Sequence, residues 1–220
     1  TAVELARALD ARMSFKNPVA PLPELALVDR PLLDLLRVTC VLSVRPVQHA
    51  RLVPLMERAG FCVYKRLGAL PPARLVPRAM PGLGERELLA ELAGPEPDYA
   101  GRVRLAPEGG VEAAALEPVA SVGEVTAVEH PAKNRVTVRV RGSTGGWLVL
   151  HEQWAPGWTC TAGDVELPVL RADHAYRAVP LPTGDLVLEF RYEPRSLDWG
   201  LALSLGALLL VLGYELLNRN

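Results

Sequence analysis

Two adjacent residues, His151 and Glu152, have the side chains that acid/base chemistry requires. Together they offer a general base and a general acid. Neighbouring residues of a strand, however, point to opposite faces of the sheet, so this pair is badly placed to act together. The sequence therefore favours an ordinary edge or surface histidine at position 151, which we keep only as a binding candidate, and it predicts no catalytic residue in this chain.

A tryptophan cluster, formed by Trp147, Trp154 and Trp158, offers a second kind of chemistry. Exposed indole rings can stack on the C–H faces of sugars, and a β-sandwich surface is a common platform for such stacking. Large aromatic residues of a sandwich lie mostly in its core, and Pro156 and Gly157 predict a turn that places Trp158 in a strand. The pattern favours a core position for Trp158 and leaves Trp154 open, and both are binding candidates.

Charged residues near the end of the chain form the third group, with Arg171, Asp173 and Arg177 as binding candidates. Arginines in this position could contact phosphate headgroups or a lipid-linked phosphate. The competing interpretation is a solvated face, which explains most such charges.

Sites for metals, nucleotides and cofactors are not predicted. There is no GxxxxGK[ST] phosphate loop, no GxSxG nucleophile motif and no pair of histidines spaced i, i+4. The three cysteines, Cys40, Cys62 and Cys160, lack the spacing of a zinc site and are predicted to be small buried hydrophobes. A bridge between Cys40 and Cys62 remains the alternative.

The charge balance excludes one class of partner. The 220 residues contain 24 Lys and Arg against 25 Asp and Glu, which gives a net charge of −1. A chain so balanced has no broad polyanion-binding surface, so nucleic acid is not an expected partner. The sequence starts at Thr1 without a visible signal peptide, so we expect a processed or excised piece, or targeting information further upstream.

The elements that position these residues fall into two predicted units, divided after residue 108 where Pro107, Gly109 and Gly110 mark a loop. Residues 1–108 are predicted to form a small α+β module. Leu5, Leu9 and Met13 predict a first helix by their i+4 spacing. Further predictions are a helix from Pro31 capped by Asp29, strands at 38–43, 61–64 and 73–76, a crossover helix within 47–58 that Pro54 would kink, and a helix at 85–92.

Residues 109–196 are predicted to form an antiparallel, jelly-roll-like β-sandwich, with a barrel as the alternative. Strand patterns recur about every ten residues there, and Val136, Val138 and Val140 alternate with polar residues as on a half-buried strand. The predicted strands are 111–116, 122–128, 135–140, 147–151, 158–162, 165–170, 176–179 and 186–192.

The last segment stands apart because residues 199–214 contain no charged side chain over 16 positions. Extended to 197–217, this run predicts a transmembrane helix, since it is apolar on all sides and close to the roughly 30 Å thickness of a bilayer core. Trp199 and Tyr214 are predicted to lie at the two membrane interfaces. A buried C-terminal helix is the alternative, and the flanking arginines do not fix an orientation.

Several short motifs resemble, in order and spacing, the C-terminal end of the bacterial YfhO-like membrane proteins. They cover nearly the whole chain from about Pro31: residues 32–38, 41–43, 63–64, 69–71, 148–158, 167–173, 176–179 and 189–194.

Members of that family are polytopic proteins similar to the GT-C glycosyltransferases, which use polyprenyl-phosphate-linked sugars. The resemblance implies a non-catalytic, extracytoplasmic accessory region of a cell-envelope protein in the bacterial plasma membrane, with its C-terminus in the cytoplasm. The implied partners are the lipid bilayer, an upstream transmembrane domain of the same protein, and a lipid-linked sugar or envelope glycan. A carbohydrate-binding or purely structural module is the alternative.

Overall fold

The computed structural model describes residues 24–58, 60–106, 119 and 123–218. The predicted helix at Leu5, Leu9 and Met13, the strand at 111–116 and the division after residue 108 lie outside these ranges. The helices are a 3-10 helix at Leu25–Asp29, α1 (Pro31–Leu35), α2 (Glu85–Leu92) and α3 (Arg195–Asn218). The strands are β1 (Cys40–Ser43), β2 (Leu52–Arg58), β3 (Phe61–Arg66), β4 (Ala73–Val76), β5 (Arg78–Met80), β6 (Arg102–Arg104), β7 (Glu124–Ala132), β8 (Arg135–Thr144), β9 (Trp147–Leu150), β10 (Trp158–Ala162), β11 (Val165–Leu167), β12 (Leu170–Ala172), β13 (Tyr176–Pro180) and β14 (Thr183–Tyr192).

The largest part of the fold is antiparallel β-structure, as predicted, arranged as a β-sandwich. One sheet has the strand order β11-β10-β14-β8-β7, and the other has the order β12-β13-β9-β4. Their inner faces share one apolar core, to which Val138 of β8 and Leu188 of β14 contribute from one sheet and Leu148 of β9 from the other. The alternation of Val136, Val138 and Val140 places all three in this core because alternate strand residues share a face.

The second sheet is buried on both faces. All four residues of β9 are buried, with Leu148 and Leu150 in the core between the sheets and Trp147 and Val149 in a second core outside it. Helices α1 and α2 cover that outer face with leucines. Strand β4, from the N-terminal half, pairs with β9, so described residues on both sides of position 108 share one core. The division into units at that position remains a prediction.

A separate three-stranded sheet, β1-β3-β2, corrects one prediction. The predicted crossover helix within 47–58 is wrong, because Leu52–Arg58 forms the edge strand β2. Pro54 lacks a backbone N–H and is therefore tolerated on an edge strand, where a bulge follows it before Met56. The predicted strand at 165–170 is two strands, β11 and β12, which belong to different sheets, and the strands β5 and β6 were not predicted. The other described strands and helix α2 lie close to their predicted positions.

Helix α1 begins at Pro31, as the sequence predicts, but its cap differs. The N-cap residue is Arg30, which makes no side-chain capping bond. Asp29 instead ends the 3-10 helix, and its carboxylate Oδ2 lies 3.2 Å from Nε2 of His49.

The C-terminal helix α3 has 24 residues, Arg195–Asn218. Where the exposure of its apolar side chains is described, they are all exposed, including Trp199 at 72% and Tyr214 at 65%. Within the described part of the chain, no helix has both the length and the apolar character needed to cross a membrane. The predicted transmembrane helix over 197–217 therefore receives no support from the structure.

Candidate functional site

His151 and Asp173, two of the predicted binding residues, meet through an arginine of β4. The Nε of Arg74 donates a hydrogen bond to Nε2 of His151 at 3.1 Å, and its Nη2 pairs with the carboxylate of Asp173. The Nδ1 of His151 lies 2.6 Å from the carbonyl oxygen of Pro71. Because the Nε of arginine always donates, Nε2 must be the unprotonated ring nitrogen and Nδ1 donates to Pro71. Both ring nitrogens of His151 are thus engaged.

The environment of His151 keeps the imidazole neutral. The predicted edge or surface position of His151 is wrong, because the ring is buried in the structure. Burial together with the positive charge of Arg74 lowers its pKa to about 3. A ring in this state, with its free lone pair already bonded to a guanidinium, is unsuited to take a proton from a substrate at neutral pH. His151 acts here as a fixed connector between Arg74 and the loop at Pro71.

Asp173 closes the tight turn between β12 and β13 in a backbone conformation that few residues adopt. Its φ is +41° and that of the following His174 is +72°, both in the left-handed region. The carboxylate is buried and accepts hydrogen bonds from Arg74 and from the backbone N–H of Arg104 at 2.9 Å. Burial raises the pKa of Asp173, and the charge of Arg74 opposes that shift. Arg74 also donates to the carbonyl of Tyr99, so the network ties β4, β6 and this turn together.

A second buried network surrounds Arg177 on β13. Its side chain is 1% exposed, and its Nη2 donates to a carboxylate oxygen of Glu152. The other carboxylate oxygen of Glu152 lies 2.6 Å from Nε2 of His130, which is on the surface. Burial lowers the pKa of Arg177, and Glu152 opposes that shift. The Nε and Nη1 atoms of Arg177 make no hydrogen bond to any residue that the structure describes.

Arg177 also contacts Trp158 and covers one face of its indole ring. Its guanidinium carbon lies 3.7 Å from the centroid of the indole ring, in the geometry of a cation–π interaction. The ring of Tyr192 lies beside the indole, with centroids 5.2 Å apart. Trp158 is half-buried and packs against the core between the sheets, so one of its faces is already occupied by protein. That arrangement does not favour sugar stacking at Trp158.

The remaining predicted residues lie elsewhere. Trp154 is half-buried and Arg171, on β12, is also half-buried. Arg171 and His174 line a cavity of about 240 Å³ beside the first residues of α2, where Glu85 lies 3.9 Å from Nδ1 of His174. The six binding candidates are therefore distributed over several places and do not form one site.

An open groove of about 380 Å³ lies next to His151, between α1 and the sandwich. Tyr176 lines the groove, with its ring edge-on to His151 at 5.1 Å between centroids, and its hydroxyl donates to the carbonyl of Leu35. Arg37 on the rim has a φ of +54° and donates from Nε to the carbonyl of Leu70. The groove is lined by Leu36, Arg37, Thr39, His151, Gln153, Ala175 and Tyr176.

Polar side chains make up part of the groove's lining. Arg37, Thr39 and Gln153 can offer hydrogen-bond donors, and the buried His151 is not available as a base. Within the described residues, no three His, Cys, Asp or Glu side chains come together in a way that could hold a metal ion.

All three cysteines are free thiols, with Cys62 and Cys160 buried as predicted and Cys40 exposed, contrary to the prediction.

Sequence reasoning missed the residue that joins the first network, Arg74. It lies between Ala73 and Leu75 in a four-residue strand, where an arginine normally indicates the solvated face. Because β4 belongs to a sheet that is covered on both sides, this side chain points into protein instead. His130, on the edge strand β7, carried no signal either, since its partner Glu152 is 22 residues away in sequence.

The chain matches none of the protein families, curated proteins or solved structures with which it was compared. The resemblance of its motifs to YfhO-like membrane proteins therefore stays a prediction.

Proposed function

We propose that this chain is a non-catalytic, extracytoplasmic module of a bacterial membrane protein and that α3 attaches it to the lipid bilayer. The single observation that carries the proposal is the exposure of α3. Leu203, Leu209 and Leu210 are 72%, 61% and 77% exposed, and the other large apolar side chains whose exposure is described, between Trp199 and Tyr214, are exposed as well. The part of the helix without charged residues, 199–214, is apolar on every side, and such a surface is poorly solvated by water and favours an apolar environment.

The non-catalytic part of the proposal is supported by the state of the polar residues. His151 has both nitrogens engaged, Asp173 is bonded to Arg74 and Arg104, and Glu152 is bonded to Arg177 and His130. These groups hold strands and turns together. Fixed charges of this kind support a structural or positioning module more readily than an acid/base centre.

From the resemblance of the motifs we also propose that the module belongs to a polytopic protein of the cell envelope. That protein would be similar to glycosyltransferases that use polyprenyl-phosphate-linked sugars. The module would stabilise the upstream membrane domain or position an acceptor glycan. The resemblance alone, and not the helix as the structure describes it, is the basis for proposing further that this segment crosses the bilayer with the C-terminus in the cytoplasm.

Flotation with lipid vesicles tests the attachment. The full chain is synthesised in the presence of phosphatidylcholine and phosphatidylglycerol vesicles and centrifuged through a density gradient. We expect the chain to float with the vesicles and to resist extraction by salt and alkaline carbonate. A variant with Leu205→Asp and Leu209→Asp, both on exposed positions of α3, should remain at the bottom, because carboxylates are costly in hydrocarbon.

The matched control is Val165→Asp, which introduces the same carboxylate at a 56% exposed residue of β11. This control should float like the unchanged chain. A chain that stays monomeric in buffer without detergent and does not float would contradict the proposal. Protease treatment of a C-terminal tag on floated vesicles then separates a crossing helix, whose tag is protected, from one that lies in the interface.

A further inference from the structure

The strand register of the three-stranded sheet defines two faces with different character. Tyr64 and Cys62 of β3 lie on one face and pack with Leu52 against Val28 of the 3-10 helix. Arg66 on the same face is buried and donates to the carbonyl of Val28. This covered face belongs to a small core of its own.

The opposite face of the sheet is apolar and open. Leu42 of β1, Val63 of β3 and Met56 of β2 are register partners and form a row across all three strands. Leu42 is 54% exposed and Met56 is 55% exposed. Cys40, Lys65 and Val53 form the next row, and Phe61, 49% exposed, is opposite Arg58 at the hairpin tip. A contiguous apolar patch of this kind on a sheet face marks an interaction surface.

The charge of this open face has one sign. Among the described residues of the three strands, the charged side chains on the open face are Arg58 and Lys65, both exposed. Glu57 of the same hairpin is the register partner of Cys62 and so belongs to the covered face. Apolar side chains bordered by basic ones match a bilayer surface that contains anionic headgroups.

The position of the sheet agrees with that partner. Thr39, which directly precedes β1, lines one groove with Gln153. Four residues after Gln153, a Cβ added to Gly157 would lie 2.7 Å from the Cα of Pro194, the residue before α3. Four residues span at most about 15 Å, so the residue before β1 and the residue before α3 both adjoin the connection between β9 and β10.

We infer that the open face of the β1-β3-β2 sheet docks onto the surface of an anionic lipid bilayer. Leu42, Met56 and Phe61 enter the interfacial region, and Arg58 and Lys65 contact lipid phosphates. The inference rests on the proposed function, because it uses the same bilayer to which α3 attaches the chain. With two points of contact, the sandwich is held at a fixed tilt above the membrane.

Site-specific fluorescence tests this docking separately from the attachment by α3. An environment-sensitive fluorophore is placed by Phe61→Cys on the open face, by Leu209→Cys on α3, or by Val165→Cys as the control, each in a Cys40→Ser background. Val165 pairs with Ala162, at the end of β10 away from Trp158 and α3. Emission and quenching by nitroxide lipids are measured on the full chain, with neutral and with anionic vesicles.

We expect the label at position 61 to shift to the blue and to be quenched by nitroxide lipids on anionic vesicles, while the label at 165 behaves as in water. Lys65→Glu should lower the shielded fraction of the label at 61 about tenfold, since it reverses a charge at the surface. Arg141→Glu, at an exposed position of β8, should leave it unchanged.

A label at 61 that stays in water while the label at 209 enters lipid overturns this inference and leaves the proposed function standing. Quenching at 61 without entry at 209 would instead support the docking face and contradict the attachment by α3. A label at 61 that is shielded before vesicles are added, whether by a second copy or by another part of the chain, overturns the lipid assignment. Equal quenching on neutral vesicles overturns the role of Arg58 and Lys65.

Discussion

The β-sandwich and the three-stranded sheet treat charged and apolar side chains in opposite ways. The sandwich region buries Arg74, Asp173 and Arg177, each at most 7% exposed, and surrounds them with partners from distant parts of the chain. The small sheet leaves Leu42 and Met56 about half exposed and has no described element over them. The buried charges of the sandwich region thus have partners within the described chain. The small sheet and α3, in contrast, have exposed apolar surfaces that fit a less polar environment than water.

Breaking the buried ion pair between Arg74 and Asp173 should destabilise the protein most. Asp173→Asn keeps a residue that tolerates a positive φ but removes the charge that faces Arg74. Leaving an arginine buried without its partner should lower the free energy of unfolding by about 3–5 kcal/mol. Denaturant unfolding followed by circular dichroism measures the change. Asp164→Asn, in an exposed turn, is the control and should change stability by less than about 0.5 kcal/mol. Equally small changes in the free energy of unfolding at both positions would show that the Arg74–Asp173 ion pair does not contribute to stability.

Truncation of one leucine in each region should have unequal effects on stability. Leu150 is fully buried between the sheets, so Leu150→Ala should cost about 2–5 kcal/mol. Leu42 lies on the open face, and Leu42→Ala should change stability in solution by no more than about 0.5 kcal/mol. Urea unfolding of both variants provides the comparison. A large loss at Leu42 would mean that this face is covered in solution.

The dependence of stability on pH provides a third test. Burial lowers the pKa of His151 to about 3 in the folded protein, against 6.5 for an ordinary histidine. The unfolded chain therefore binds a proton between these values that the folded protein excludes, and stability falls as the pH drops below about 6.5. The loss approaches about 1.4 kcal/mol per pH unit, or about 2 kcal/mol by pH 5.

The variant His151→Asn removes this titration. Unfolding at pH 7 and at pH 5 should therefore differ less for His151→Asn than for the unchanged chain. If His151→Asn keeps the same slope, other groups govern the acid sensitivity.

The smallest effect on stability is expected from modification of the thiol on the open face. Cys40 is exposed, Cys62 and Cys160 are buried, and burial raises the pKa of Cys160 to about 12. One equivalent of maleimide should react within minutes in the native protein, and the other two only after unfolding. Mass spectrometry counts the additions, and Cys40→Ser should abolish the rapid one. Rapid modification of Cys62 as well as Cys40 would show that the covered face of the small sheet opens.

Periodic patterns in the sequence predicted most of the elements, because a strand or helix that is half-buried shows its period directly. The alternation at Val136, Val138 and Val140 located β8, and the pattern over 85–92 located α2. The segment containing Pro54 was predicted as a helix because its length fits a crossover. Its real state, an edge strand, depends on pairing with β3, and pairing is not visible in a local pattern.

The candidate site was predicted only in part for a related reason. His151, Asp173, Trp158 and Arg177 were singled out by residue type, but the structure divides them between two networks. Arg74 and His130, which complete those networks, lie 77 and 22 residues from their partners His151 and Glu152. Such contacts are set by strand order, and no spacing in the sequence records them.

The sequence alone therefore determined the antiparallel β-character of the chain and the apolar nature of α3, since both follow from local composition and period. Which charges are buried and which apolar residues are exposed depends on the tertiary structure, because it sets which faces of the sheets are covered. The β12-β13-β9-β4 sheet is buried on both faces, whereas one face of the β1-β3-β2 sheet is left open.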